Sequence, residues 1–357
     1  AAEQARRQTW VEEGLANVVP GDVSATTLPA LQGGEMTAAV YGSLVPVISP
    51  HLYPWRAVVK VRSTFQTNTG SIVWPCTGIL IRANWVLTRG TCVKHPTYGW
   101  ASQTIIEPTN KPDDEPIGPA TVNLKVVLTD GSTTFNSAYD MGWMRLNRPV
   151  GVLTDYVLTD YNYGTDNSFY GSQETPFESP GYPSGTLISN PGALYNASGT
   201  FSYATDTGIY RRGYINYGSY QGSPAITRVD GFWGTHGVLS HREIGILDAV
   251  YTRYTRMTKT RMELIDQNMD ENAPTQADFI PMGTKLGAGS IMAGSSLSSH
   301  SFIVYNHTSA PSSNGPTKYR LYLSLDRTIT ASDRLLGNFT LPAKVLPDRA
   351  IWTYTSS

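Results

Sequence analysis

The chain has 357 residues, enough for two or three domains, and a formal net charge of −1, so no global field favours nucleic acid or an anionic membrane. Charged residues make up 15%, below the roughly 25% of an average domain, while Gly, Pro, Tyr, Ser and Thr are plentiful. That balance suits the short strands and frequent turns of an extracellular all-β chain, and no apolar run approaches the ~18–20 residues needed to cross a bilayer. The chain opens at Ala1 without a Met or a signal peptide and is expected to be a mature, exported form. Asn196, Asn306 and Asn338 stand in N-x-[ST] sequons, which matter only in a glycosylating host.

Residues 1–45 read as an N-terminal arm. Trp10, Val11, Leu15 and Val18 fall at roughly helical spacing, Pro20-Gly21-Asp22 stops that pattern, and a segment rich in Ser, Thr, Gly and Pro follows. The arm is either a disordered tail, a remnant of a pro-segment, or a segment that docks on its own domain or a neighbour. From Val45 strand signals come regularly, and Trp55–Val61 alternates as a strand. Two short apolar runs, Gly78–Ile81 and Trp85–Thr88, then flank a polar Arg82-Ala83-Asn84 turn, which predicts a buried hairpin. The chain's two cysteines, Cys76 and Cys92, sit at the ends of this stretch. A hairpin brings its ends within disulfide reach, and pairing fits an oxidising compartment; two unpaired buried thiols are the alternative.

The same stretch resembles a known family. CTG-x-LI-x(3)-WVLT-x-G-x-C is similar to the first catalytic motif of trypsin-like serine peptidases, in particular their secreted glutamyl-endopeptidase branch. The family carries its catalytic His just before the second cysteine; here that residue is Thr91. The segment from Ile48 to Val61 also resembles the first strand of that branch. Lys94–Pro119 is polar and Pro-rich, with Asp113, Asp114 and Glu115 in a row, and reads as a surface loop rather than a metal loop. Ala120–Leu128 is a further strand. Tyr139–Leu146 resembles the family's second motif and sets the catalytic Asp on Asp140. Pro180–Gly185 resembles the branch's GYP turn. Gly218–Ala225 resembles the nucleophile motif. Aligned on Gly222-Ser223-Pro224, the nucleophile position holds Gln221, and Ser219 stands where the family has a Gly of the oxyanion hole. Gly234–Val238 resembles the strand whose His, here His236, helps the glutamyl branch recognise an acidic side chain. Ala249–Tyr254 would be the last barrel strand and Met257–Met269 a closing helix packed through Met262, Leu264 and Ile265. The basic residues Arg253, Arg256, Lys259 and Arg261 read as a solvated helix face.

Asp270–Lys285 is punctuated by Pro and Gly and reads as linker. Ser301–Asn306 and Lys318–Leu325 alternate as strands, and the run from Tyr319 to Leu341 resembles the signature of the cell-adhesion-related bacterial domain, an immunoglobulin-like sandwich. The last strand or two of that sandwich are expected to be absent after Trp352-Thr353-Tyr354. The expected organisation is an arm over 1–45, a trypsin-like domain over 46–270, a linker over 271–289 and an immunoglobulin-like domain over 290–357. The fold class is all-β.

The chemistry that the resemblance would bring is incomplete. A serine hydroxyl attacks a carbonyl only when a base within reach takes its proton, and imidazole does this near neutral pH. Thr91 cannot accept that proton, and the Gln221 amide is no nucleophile. His95, His236 and His241 lie elsewhere and read as ordinary buried or surface histidines. Asp140, left without an imidazole, must find other donors, with the Thr91 hydroxyl and backbone N–H groups nearest. The expected protein is therefore a secreted, non-catalytic peptidase homologue with a structural or adhesive role at a cell surface or in a matrix. A protein partner or self-association is implied, and no cofactor, metal, nucleic acid or membrane span. The competing readings are a divergent hydrolase with relocated residues, and a peptide binder using His236 and Ser219 in an inactive cleft.

Overall fold

The computed structural model describes residues 44–108, 117–128, 136–160, 167–171, 176–184, 190, 192–213, 218–229, 232–244, 250–272, 279–286, 300–306, 316–323, 332–341 and 351–356. The arm before Leu44 and the Asp113-Asp114-Glu115 run lie outside these residues. The chain divides into two compact units, the first ending at Asn268 and the second beginning at Met269, a division that falls inside the helix Lys259–Glu271.

The first unit opens with a closed six-stranded barrel. Its strands run, in spatial order, Val58–Thr67, Gly70–Arg82, Trp85–Thr88, Gly142–Leu146, Ala120–Val127 and Gln103–Pro108. The hairpin expected from Gly78–Ile81 and Trp85–Thr88 is present, but its first strand begins at Gly70, because Gly70–Pro75 pairs in register with Arg62–Thr67. Gln103–Pro108 corrects the reading of Lys94–Pro119 as a surface loop. Thr104, Ile106 and Glu107 there are buried against Val58–Thr67, and a short strand with a Pro at its end leaves little period to read.

A nine-stranded sheet forms the second half. Its main path runs Val45–Pro46, Tyr195–Thr200, Pro176–Gly181, Pro224–Val229, Phe232–Ile244, Val250–Arg256, Gly208–Arg212 and Tyr203–Ala204, and Leu158–Thr159 pairs in parallel with Phe232–Ile244. Val45, placed in the arm by the sequence, thus belongs to this sheet, opposite Asn196. The core here is aromatic: Tyr170, Phe177, Tyr195, Phe201, Tyr220 and Tyr254 pack with Ile209 and Leu239. Rings of this size fill a strongly curved sheet and add edge-to-face contacts, as between Tyr170 and Phe201.

Two expectations around the closing helix change. Ile265 is buried, but Leu264 faces solvent, since the helix buries a narrow stripe. Arg253, Arg256 and Arg261 are not a solvated face either; only Lys259 is. The guanidinium of Arg261 donates to the carbonyls of Arg256 (2.5 Å) and Ala138 (2.5 Å), and that of Arg256 to Asn167 Oδ1 (2.6 Å) and the Thr205 carbonyl (2.8 Å). A planar fork with five donors can be buried on carbonyls in a way that a lysine cannot.

In the second unit, Phe279–Leu286, His300–Asn306 and Ile351–Ser356 form a three-stranded antiparallel sheet, and Thr317–Leu323 pairs with Arg334–Leu341. Phe279–Leu286 corrects the linker reading: Pro281 sits in an edge strand, where a missing N–H costs nothing. Trp352–Tyr354, after which the sandwich looked truncated, is itself paired with Phe302–Val304. Phe302, Val304 and Leu341 are buried, with Phe279, Tyr319 and Tyr354 packed against them.

Candidate functional site

Three chain segments build the centre. Gly90–Cys92 forms a 3-10 turn directly after the Trp85–Thr88 strand, and the Cys76–Cys92 disulfide ties it to the neighbouring strand across a Cα–Cα distance of 6.3 Å. Gly90 lies so close to Met141 that a Cβ there would stand 3.0 Å from the Met141 nitrogen, which brings the turn against Asp140. Gln221 follows the 3-10 turn Gly218–Tyr220 and precedes Gly222, whose φ of +86° is left-handed. A side chain at Gly222 is excluded on two counts, because its Cβ would also meet the Thr77 carbonyl oxygen at 2.3 Å.

Thr91, Asp140 and Gln221 are brought together, and Arg89 joins them. The Asp140 carboxylate is fully buried. Oδ1 accepts from the Thr91 backbone N–H at 2.9 Å, and Oδ2 accepts from the Ser240 hydroxyl at 2.6 Å. Arg89 Nε also donates to Oδ2, while Nη1 of the same guanidinium donates to Gln221 Oε1. One side chain therefore spans the positions that an imidazole bridges in a working triad. The Thr91 hydroxyl, expected among the donors to Asp140, is buried and has no hydrogen-bond partner among the described residues; the Thr91 backbone N–H does that work. Sequence reasoning missed Arg89, although it is the lone charge between Trp85 and Cys92 and lies two residues before the position that should hold a base.

The two serine hydroxyls that flank Gln221 are committed. Ser219 Oγ donates to the Tyr182 carbonyl at 2.6 Å, and Ser223 Oγ to the Tyr220 carbonyl at 2.6 Å. The Ser219 N–H, one of the two amides that would hold an oxyanion in the family's arrangement, donates to Ser184 Oγ at 3.1 Å.

His236 lies in the second-half core and not beside Gln221. Its ring is 1% exposed. Nδ1 meets the Tyr170 hydroxyl at 3.1 Å and Nε2 the Thr227 hydroxyl at 2.6 Å. Burial, and secondarily Arg256, lowers its pKa to about 3, so it is neutral at physiological pH. The carboxylate already nearest to it belongs to this chain: Asp160 Oδ2 stands 3.7 Å from Nε2. His95 stacks on Tyr98 with ring centroids 4.5 Å apart, its pKa lowered by partial burial and by Arg89. His241 is the histidine tied most directly to the centre: Nδ1 stands 3.0 Å from Ser240 Oγ, which bonds Asp140. Ser240 is fully buried, however, and no substrate carbonyl reaches it as the chain stands.

Comparison with known proteins agrees with this geometry. Residues 47–168 match the trypsin family model. The chain is 29% identical over 179 residues to an extracellular metalloprotease of Bacillus subtilis, and 27% identical over 213 residues to a glutamyl endopeptidase of Bacillus licheniformis. These alignments cover 48% and 58% of this chain, and the chain spans 51% and 61% of the relatives' own length. A solved Glu endopeptidase in complex with MPD superposes with a TM-score of 0.51 at 18% identity, covering 64% of this chain and 99% of that one. The chain thus carries a trypsin-like domain with the two-barrel fold and has a glutamyl endopeptidase among its homologues. The first relative's name implies a metal. Among the described residues no three His, Cys, Asp or Glu side chains gather into a ligand set. No helix among the described residues is long and apolar enough to cross a membrane.

Proposed function

We propose that the protein is a secreted, catalytically inactive peptidase homologue whose two-barrel unit serves as a structural or adhesive module outside the cell. The observation that carries this reading is the Arg89 guanidinium bound at once to Asp140 and Gln221. A permanently charged group replaces the proton acceptor, an amide replaces the nucleophile, and a serine hydroxyl occupies one oxyanion donor. Transition-state stabilisation by an oxyanion hole alone would leave only residual rates. The second unit fits the same reading, since a small two-sheet domain resembling an immunoglobulin-like adhesion module suits a spacer or contact role.

The hydrolase alternative has one supporting constellation, Asp140–Ser240–His241, and the same experiment decides both. Purified full-length chain is expected to show no fluorophosphonate labelling and no turnover of Glu-containing peptide or ester substrates. Labelling or turnover that persists through repurification and disappears in Ser240→Ala would establish the hydrolase instead.

A further inference from the structure

The two-stranded sheet of the second unit is covered at one end and bare at the other. At the covered end of Thr317–Leu323 and Arg334–Leu341, Tyr319 packs on Phe302, Phe339 stacks on Tyr319, and Leu341 is buried. At the other end Leu323, Leu335 and Leu336 are 58%, 44% and 48% exposed. The ladder explains how they gather. Leu321 pairs with Gly337, Tyr322 with Leu335 and Leu323 with Arg334, and the register slips by one residue after the first of these pairs. Leu335 and Leu336 therefore stand together opposite Tyr322.

Charge gathers behind the leucines. Tyr319 points inward, so Lys318, Arg320 and Tyr322 share the outward face, because alternate side chains of a strand lie on one side. Lys318, Arg320 and Arg334 are exposed, and the two strands hold these three cations and no Asp or Glu. Asp333, next to Arg334, is already engaged. Arg320 stands about 7 Å behind Tyr322 along the strand, and Lys318 about 13 Å. A protein partner is the poorer match for this face. Hot spots of protein interfaces rest on Trp, Tyr and Arg, with Leu under-represented there and Lys depleted. Leucines first, a tyrosine behind them and cations one and two steps further back is the order met on leaving an anionic bilayer: acyl chains, interface, headgroups.

We infer that the Leu323, Leu335 and Leu336 end of this sheet docks on a lipid bilayer with anionic headgroups. The leucines enter the acyl boundary, Tyr322 lies at the interface, and Arg320, Arg334 and Lys318 meet the lipid phosphates. The contact is reversible, because so small an apolar area partitions only with the help of charge, and the whole-chain charge of −1 adds no pull of its own. The inference rests on the adhesive reading above for its purpose and not for its test: vesicle binding and fluorophosphonate labelling are read separately, and either can fail alone.

The test sediments the full-length chain with large vesicles, made either of phosphatidylcholine alone or of equal parts phosphatidylcholine and phosphatidylglycerol. The wild type should sediment with the mixed vesicles and not with the neutral ones, and added salt should release it. Arg320→Gln and Lys318→Gln should each weaken partitioning about five-fold. Leu335→Ser combined with Leu336→Ser keeps every charge and should abolish it, and both side chains are exposed, so the unit keeps its core. The two native cysteines are joined in the disulfide, so Leu335→Cys offers a single thiol for an environment-sensitive dye, whose emission should shift to the blue on the mixed vesicles. Equal sedimentation with both compositions, or binding that the double leucine variant retains, overturns the inference. Absence of vesicle binding overturns it too; a concentration-dependent rise in mass that the double variant removes would then show that a second copy covers the face. The wild-type comparison of the two compositions stands even where a variant fails to fold.

Discussion

Arg89 shows how a lost histidine is replaced in energetic terms without being replaced chemically. A carboxylate buried as fully as that of Asp140 needs its donors, whatever the fate of catalysis, and the turn supplies a permanent cation from two residues upstream. Removing one partner of a buried pair typically costs about 3–5 kcal/mol; because Asp140 keeps the Thr91 N–H and the Ser240 hydroxyl, Arg89→Ala should cost near the lower end, read from urea denaturation. The same contact sets the terms of any rescue. Thr91→His with Gln221→Ser should stay unlabelled by fluorophosphonate, because the guanidinium still holds the carboxylate that must orient the imidazole. Adding Arg89→Ala should open the position and give weak labelling. Labelling of the double variant equal to that of the triple would show that Arg89 does not block the site. His236 gives a second expectation at this scale. Its folded pKa, about 3, lies below the ordinary 6.5, so the unfolded chain binds the extra proton and stability falls as pH drops from 6.5 toward 3. His236→Gln should flatten that part of the pH–Tm profile; an unchanged slope would place the titration elsewhere. None of this was legible from spacing alone. The sequence shows that Thr91 and Gln221 are chemically unfit, but not that a neighbouring arginine takes over the bridge.

One threonine makes three hydrogen bonds across the join between the two sheets. The Thr77 N–H donates to the Gln221 carbonyl at 2.9 Å, its hydroxyl donates to the Ser219 carbonyl at 3.0 Å, and that hydroxyl accepts from the Tyr182 N–H at 2.9 Å. Within the barrel, Thr88 on the neighbouring strand braces it by donating to the Thr77 carbonyl at 2.6 Å. Thr77 is the middle residue of the CTG motif, beside the disulfide, so the most recognisable stretch of sequence is also where the halves of the first unit are bonded together. Thr77→Val keeps the shape and leaves a buried N–H and a buried carbonyl unpaired, a loss of about 1–3 kcal/mol for each unsatisfied group. A Tm equal to that of wild type would mean that the join is carried by the backbone contacts alone. The order of strands was readable here because short apolar runs, turns and motif spacing agreed. Gln103–Pro108 was not, since its burial comes from pairing with Val58–Thr67 and not from its own pattern. The burial of Arg253, Arg256 and Arg261 was unreadable for a related reason: side-chain charge predicts exposure, and only the surrounding carbonyls reverse it.

At the scale of the whole chain, the two units differ in how they are held. The first has two large interiors, one disulfide and a buried ionic bridge; the second, among the described residues, rests on five short strands and a ring cluster of His300, Phe302, Tyr319, Phe339 and Tyr354. Small domains bury a smaller share of their surface and stand closer to the unfolding threshold. Phe302 stacks on His300, meets Tyr319 edge-to-face and is 5% exposed, so truncation there removes the centre of the cluster. Phe302→Ala should cost about 3–5 kcal/mol, more than a unit of this size can lose without unfolding near physiological temperature. Calorimetry of the full chain should therefore show the second unit's transition moved down or lost. The first unit's transition should keep its midpoint and its response to Arg89→Ala, because the Asp140 bridge and the Phe302 cluster draw on separate cores. A single transition that shifts as one block in Phe302→Ala would mean that the units unfold together. In that case the strength of the chain lies in their coupling rather than in either core.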